Sequence, residues 1–170
     1  LQQQNYIDTA KIGIEGGSYG GCMVLAALAF YPDEFKAGVD LFGVANWPRT
    51  LKSIPPYWES FRKALYDELG DPFTADSVRL KSISPLYNYE KIKKPLIVFQ
   101  GMNDVRVLPV ESEEIVAGVK KNNVPVEYIT YPDEGHGFAK KENQITTSNK
   151  TIEFLDKYLK GDGFVPNKKQ

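Results

Sequence analysis

Cysteine and histidine are almost absent from this sequence. Cys22 is the only cysteine and His136 the only histidine among the 170 residues. A single cysteine excludes a disulfide within the chain and a thiolate zinc cluster. A single histidine excludes a metal site built on two histidines, so any histidine-dependent chemistry must use His136. We expect neither a metal ion nor another cofactor.

An excess of one charge and long apolar runs are also lacking. Lysine plus arginine number 21 and aspartate plus glutamate 22, which gives a formal net charge of −1. Without a basic excess to neutralise phosphates, we expect no nucleic-acid partner and no binding to an anionic membrane surface. No apolar run reaches the roughly 18 residues of a membrane span. With 42% apolar and 25% charged residues, the sequence is typical of one compact soluble domain.

Strand-like apolar runs alternate with helix-like patterns along the chain, which predicts an α/β fold with a mostly parallel sheet. The predicted strands are Lys11–Glu15, Phe35–Phe42, Leu96–Phe99 and Val126–Tyr131. The predicted helices are the almost wholly apolar Cys22–Phe30, one that begins at Pro109, and a last one that ends at Gly161. The last helix carries an apolar stripe of Ile145, Ile152, Leu155 and Leu159.

Residues 43–94 give a weaker signal, in which only one helix, Tyr57–Leu69, is predicted. An aromatic cluster falls in this region, and a cap or a pocket wall would lie there. The alternative is that these rings only seal the core, as most buried aromatic rings do. The cluster consists of Trp47, Tyr57, Trp58, Phe61 and Tyr66.

A glycine-rich turn joins the first predicted strand to the apolar helix, and its sequence Gly16–Gly20 matches G-x-S-x-G around Ser18. A nucleophilic serine at such a turn projects from a very tight backbone, and side chains two residues to either side would collide. The amino end of the following helix points at the site, so the Tyr19 N–H could bind an oxyanion. The alternatives are a serine that merely caps the helix and a phosphate-binding loop, which the absence of a lysine after Gly21 disfavours.

The candidate base and acid follow the third and fourth predicted strands. His136 comes just after the fourth strand, and ligands of α/β sheets bind at the carboxyl ends of strands. Asp104 follows the third strand, whereas Asp133 shares the short loop of His136. We prefer Asp104 as the acid because a carboxylate on a separate strand end can approach the imidazole from behind. The alternatives are an exposed loop histidine and an aspartate that closes an Asx-turn.

At these residues the chain resembles the catalytic domain of the prolyl oligopeptidase family of serine peptidases, and most of all its acylaminoacyl-peptidase and dipeptidyl-peptidase branches. The resemblance covers about residues 5–160. The matching segments are Tyr6–Asp8, Ile12–Gly21, Gly70–Pro72, Ser84–Leu86, Pro95–Ile97, Gly101–Val107 with its Asp104 and Arg106, and Glu134–Phe138.

The resemblance implies a three-layer α/β-hydrolase fold with Ser18 as nucleophile, His136 as base and Asp104 as its orienting acid. It also implies that Tyr19, Trp47 and Val107 line the pocket for the side chain before the scissile bond. The implied function is hydrolysis of short peptides through an acyl-enzyme. An esterase of the same fold and a fragment that is inactive alone are the alternatives.

The same resemblance implies that much of the catalytic domain lies outside this sequence. The family places several strands, the second oxyanion donor and usually a β-propeller before the nucleophile, and 17 residues cannot hold them. We therefore expect residues 1–170 to be the carboxyl-terminal half of an α/β-hydrolase domain. Its expected partners are a peptide substrate, the missing amino-terminal part and a second copy paired through an exposed strand edge.

Overall fold

Four parallel strands form the centre of the molecule. The computed structural model describes residues 4–54 and 56–161, so the ends of the expected 1–170 domain lie outside the described residues. The strands follow one another across the sheet in chain order, β1-β2-β3-β4. Each adjacent pair is parallel. They are β1 Gly13–Gly17, β2 Ala37–Leu41, β3 Leu96–Gly101 and β4 Val126–Tyr131.

Helices cover both faces of this sheet, which gives three layers. The α-helices are α1 Tyr19–Phe30, α2 Trp47–Lys52, α3 Glu59–Leu69, α4 Asp76–Ile83, α5 Pro109–Lys120 and α6 Lys141–Leu155. Three short 3₁₀ segments, Thr9–Lys11, Pro56–Trp58 and Pro85–Lys91, and a π-helical turn, Asp156–Lys160, complete the described elements. Among the described residues, no helix is both long and apolar enough to cross a membrane.

The side chains of β3 alternate between the two faces of the sheet, and this alternation divides the core. Leu96 and Val98 pack with the buried faces of α1 and α5. Ile97 and Phe99 point the other way and pack with Phe154 of α6. All of these side chains are fully or almost fully buried. A parallel strand covered on both faces needs such a continuous apolar run.

A third buried cluster lies beside the sheet, where α2, α3 and α4 meet. Its members come from these helices, from the first turn of α1 and from the loops that follow β2 and β3. The buried side chains of this cluster are Cys22, Val44, Trp47, Leu51, Leu69, Leu80 and Val107. This cluster connects the irregular region between β2 and β3 to the sheet end that carries the candidate site.

The predicted boundaries were wrong in the first part of the chain. β1 begins at Gly13 because Thr9–Lys11 forms a 3₁₀ turn capped by the Asp8 carboxylate. Helix α1 begins directly after Ser18, three residues before the predicted Cys22. The region between β2 and β3 contains α2 and α4, which were not predicted. β4 and the start of α5 were predicted correctly.

The apolar stripe predicted on the last helix is only half buried. Leu155 and Leu159 lie against Gly13 at the start of β1. Ile145 and Ile152, in contrast, are 51% and 57% exposed. The side of α6 that faces the core carries Thr147, Thr151 and Phe154 instead. The described residues therefore leave part of this helix's apolar surface uncovered.

Candidate active site

Ser18 stands at the sharp turn between β1 and α1, in a strained backbone conformation. Its φ of 57° and ψ of −118° are unusual for a residue with a side chain. Its N–H donates to Leu41 O at 2.9 Å, which ties the turn to the end of β2. Although Ser18 precedes the helix, its side chain makes no capping hydrogen bond. The hydroxyl lies instead 2.8 Å from His136 Nε2.

The two glycines of the motif differ in how much space surrounds them. A Cβ on Gly16 would lie 2.4 Å from the backbone oxygen of Gly20, which is far too close. A Cβ on Gly20 would meet nothing within 4 Å outside its own helix backbone. The expectation that side chains would collide on both sides of Ser18 is therefore correct for Gly16 and wrong for Gly20.

The loop after β4 presents His136 to the serine. The buried Glu134 carboxylate accepts from the N–H groups of Ala139 and Lys140, both at 2.9 Å, and from Asn143 Nδ2 at 2.8 Å. These hydrogen bonds, above all that from Asn143, hold the pKa of Glu134 below its usual value. The Glu134 carboxylate thus fixes the loop two residues before His136.

Asp104 lies behind the His136 ring, and the rival Asp133 does not. Asp104 Oδ2 is 2.8 Å from His136 Nδ1. Its other oxygen, Oδ1, accepts from the N–H groups of Arg106 at 2.8 Å and Val107 at 2.9 Å. Asp133 is exposed and pairs with Lys140, and this hydrogen bond lowers the pKa of Asp133. The structure therefore brings together Ser18, His136 and Asp104 from the ends of three different strands.

Tyr19 is the first residue of α1, so its N–H has no acceptor within the helix and lies next to the serine. Tyr19 is 46% exposed, and its ring contacts the Trp47 ring at a centroid distance of 5.4 Å. Burial, followed by the charges of Glu68 and Cys22, raises the pKa of the Tyr19 phenol. Tyr19 therefore joins the serine turn to the aromatic side of the site.

Trp47 and Val107 belong to the same buried cluster, 4% and 3% exposed. The backbone N–H of Trp47 donates to Ser84 Oγ at 3.0 Å. Trp47 thus contacts the site through Tyr19 while most of its ring lies in the core. The remaining aromatic residues lie further out, and the rings of Tyr57, Trp58 and Phe61 form a chain of contacts. The Arg106 guanidinium stacks on Trp58 at 4.4 Å from the ring centroid.

Three buried polar side chains near the site were missed or misinterpreted from the sequence. Glu111 fits the favourable charge at a helix start, but its buried carboxylate accepts from the N–H groups of Ala45 at 2.9 Å and Asn46 at 2.5 Å. Burial raises the pKa of Glu111 to about 7. Gln100 and Asp40 are also fully buried. For Gln100 and Asp40, the available signal was a polar residue inside an otherwise apolar strand.

Asp40 lacks a hydrogen-bond partner for either carboxylate oxygen among the described residues. The carboxyl lies against the backbone of Gly21 and Gly43, where no Cβ would fit. The Gly43 N–H approaches it without completing a hydrogen bond, so burial dominates and raises the pKa of Asp40 to about 7. Burial, with the Asp40 charge, also raises the pKa of Cys22 to about 12, which makes Cys22 an inert thiol.

Comparisons with known proteins fit this geometry. The model of the prolyl oligopeptidase family matches residues 1–162. The chain belongs to this family of serine peptidases. It is 45% identical over 152 residues to dipeptidyl aminopeptidase BIII of Pseudoxanthomonas mexicana, covering 89% of this chain and 22% of that protein. It is 40% identical over 155 residues to dipeptidyl peptidase family member 6 of Caenorhabditis elegans, covering 90% and 21%.

Solved structures agree with the family assignment. A puromycin-hydrolyzing peptidase of Mycobacterium tuberculosis superposes with a TM-score of 0.84 at 27% identity, over 94% of this chain and 23% of that one. The resemblance based on the motifs and the α/β-hydrolase fold are both confirmed, with the described residues forming part of that fold. The chain spans about a fifth of the length of the relatives that it matches.

Proposed function

We propose that Ser18, His136 and Asp104 are a catalytic triad that hydrolyses short peptides through an acyl-enzyme. The observation that carries this proposal is the unbroken hydrogen-bond chain from Ser18 Oγ through both nitrogens of His136 to Asp104. Both bonds measure 2.8 Å. This is the arrangement in which a base activates a hydroxyl while a carboxylate orients the base.

In the proposed reaction, Ser18 Oγ attacks the peptide carbonyl while His136 Nε2 takes the hydroxyl proton. Asp104 stabilises the resulting imidazolium through Nδ1–H. The tetrahedral intermediate collapses as His136 returns the proton to the leaving amine, which leaves an ester on Ser18. Water then attacks this ester with His136 again as base, which releases the acid and regenerates the serine.

The Tyr19 N–H supports the proposed step by donating to the oxyanion. It lies at the amino end of α1, where unpaired N–H groups and the helix dipole favour negative charge. Tyr19, Trp47 and Val107 are the proposed wall of the pocket for the side chain before the scissile bond. The names of the relatives, dipeptidyl aminopeptidase and dipeptidyl peptidase, favour short peptides as the substrate class over esters.

The test combines a fluorophosphonate probe with paired peptide and ester substrates. It uses the product of the complete reading frame that contains these 170 residues. Labelling should be lost in Ser18→Ala and should fall in Asp104→Asn by up to about 10⁴-fold. Asp133→Asn is the matched control, because it removes a similar charge near the same histidine, and it should label normally.

Turnover of the substrates then distinguishes the candidate enzymes. A peptidase should hydrolyse a dipeptide anilide as well as a matched ester, and kcat/KM is measured for both substrates. Normal labelling of Ser18→Ala would exclude Ser18 as the nucleophile. Turnover of the ester alone would leave the esterase alternative.

A further inference from the structure

We propose that Gln100, held in orientation by Ser112, is a positioning residue for Asp104. This inference rests on the proposed role of Asp104 in the triad. Gln100 lies on β3 and Ser112 in the first turns of α5, and both are fully buried. Neither side chain can therefore touch a substrate, so any effect on the reaction must pass through Asp104.

The geometry fixes which way the Gln100 amide points. Its Nε2 faces three acceptors: Gly101 O at 3.0 Å, Val107 O at 3.3 Å and Asp104 Oδ2 at 3.4 Å. Its Oε1 accepts from Ser112 Oγ at 2.7 Å. The reversed amide would place an oxygen against three acceptors and its NH₂ group against the serine. Ser112 therefore helps to keep the donating side of the amide towards Asp104.

The carboxylate of Asp104 is thus held on both sides. Backbone N–H groups hold Oδ1, whereas Oδ2 contacts both His136 Nδ1 and Gln100 Nε2. The Gln100 contact is the longer one, so it acts on the direction of the carboxylate more than on its charge. Without the amide, the carboxylate could turn about its Cβ–Cγ bond, and the imidazole would lose its alignment with Ser18. Small misplacements of catalytic groups cost up to about 100-fold in rate.

The experiment measures kcat and KM for a chromogenic dipeptide anilide, together with fluorophosphonate labelling, in the product of the complete reading frame. Ser112→Ala is the mild variant, and Gln100→Met removes the amide while keeping the side-chain length. We expect kcat and the labelling rate to fall about 10-fold in Ser112→Ala and up to about 100-fold in Gln100→Met, with KM unchanged. The double variant should lose no more than Gln100→Met alone, because Ser112 acts through Gln100.

Thr147→Val is the matched control for a merely structural effect. Thr147 is a buried helical hydroxyl that bonds to Tyr131 OH at 2.8 Å on the opposite side of the sheet. Thr147→Val should lose about as much stability as Ser112→Ala but keep the kcat of the parent protein. If Ser112→Ala matches Thr147→Val in both stability and kcat, the proposal is overturned. Should Gln100→Met fail to fold, the comparison of these two milder variants still decides.

A spectroscopic readout follows the His136–Asp104 bond directly. The far-downfield resonance of the His136 Nδ1 proton, assigned by its loss in His136→Gln, should shift in Ser112→Ala and stay unchanged in Thr147→Val. An unchanged resonance in Ser112→Ala would overturn the proposal. Failure of the proposed function has a different signature, because Ser18→Ala and His136→Gln would then keep full turnover.

Discussion

At the scale of single residues, the candidate site depends on groups whose backbones are fixed independently of one another. The strained Ser18 turn is tied to β2, the His136 loop is held by Glu134, and Asp104 is held by the N–H groups of its own loop. Strain of this kind persists only where the surroundings over-determine the conformation. Substitutions that disturb one of these backbones should therefore damage the site even when no catalytic side chain is changed.

The two motif glycines give the sharpest test at this scale. Gly16→Ala would place a methyl group 2.4 Å from the backbone oxygen of Gly20, so the turn must open and Ser18 must move. We expect fluorophosphonate labelling to fall by about 100-fold or more. Gly20→Ala has space and replaces a helical glycine, so it should label within a few-fold of the parent protein and gain up to about 1 kcal/mol of stability. Equal losses in both variants would contradict this explanation.

Asp40 predicts an unusual dependence of stability on pH. Its pKa is raised from 3.8 to about 7 in the fold, so the folded state binds more protons than the unfolded state between these values. Its contribution to the free energy of unfolding is complete below about pH 4 and declines by up to about 1.4 kcal/mol per pH unit as the pH rises to 7. Asp40→Asn should flatten this decline and should be more stable than the parent protein at pH 8.

Urea unfolding between pH 5 and 8 measures the effect of Asp40→Asn. Asp33→Asn, a change of an exposed carboxyl, is the control and should keep the slope of the parent protein. Some slope should remain in Asp40→Asn because the pKa of Glu111 is also raised to about 7. A variant that loses stability equally at every pH would mean that Asp40 is ionised in the fold throughout this range.

At the scale of elements, the site lies where the ends of β1, β3 and β4 meet the cluster formed by α2, α3 and α4. The carboxyl ends of parallel strands lie at the same edge of the sheet. Side chains in the loops that follow these strands therefore come within hydrogen-bond reach although they are distant in sequence. Glu111 of α5 binds the backbone that leads into α2. The position of Trp47 at the start of α2 therefore depends on α5, a helix that follows β3 about 60 residues later in the sequence.

Trp47 at the start of α2 tests whether this cluster forms a substrate pocket. Trp47→Ala removes a large buried ring and should cost about 3–5 kcal/mol of stability. We expect it to impair turnover of peptides with an apolar residue before the scissile bond more than it impairs probe labelling. Leu51→Ala, in the same helix and cluster, should lower both alike. If Trp47→Ala and the milder Trp47→Phe also lower both alike, the ring only seals the core.

β3 could be predicted from the sequence because its apolar run, Leu96–Phe99, is continuous, and β4 was predicted residue for residue. Helices α2 and α4 have six and eight residues, too few to show a clear apolar period. The one local signal for α2 is Asn46, whose side chain accepts from Arg49 N at 3.2 Å before a proline in the first turn. Gln100 stands out as a polar residue at the end of an apolar strand, but its contact with Ser112 has no local signal, because that contact depends on how α5 packs against β3.

At the scale of the whole molecule, β1 is an edge of the described sheet because it pairs only with β2. Apolar side chains are also exposed on helices of both layers. Met23 and Phe30 of α1 are 44% and 37% exposed, and Ile152 of α6 is 57% exposed. A groove runs along the α6 side, lined by the apolar Leu41, Phe42, Phe138 and Ile152 and by the polar Glu15, Gln144, Thr147, Ser148 and Thr151. Such an edge is a template for pairing with another strand, and apolar patches of this kind mark interaction surfaces.

We propose that this side is covered by upstream residues of the same α/β-hydrolase domain, with a β-propeller before them, and that the 170-residue chain alone self-associates through it. Purified alone, the chain should form dimers or larger species in light scattering. Ile152→Lys places a charge in the groove and should increase the monomer fraction, whereas Val78→Lys, at a position that is 73% exposed on α4, should not.

Activity should suffer separately, because Tyr19 supplies only one oxyanion donor and each missing donor costs about 10²–10³ in kcat. A stable monomer with the turnover of the complete gene product would contradict both expectations.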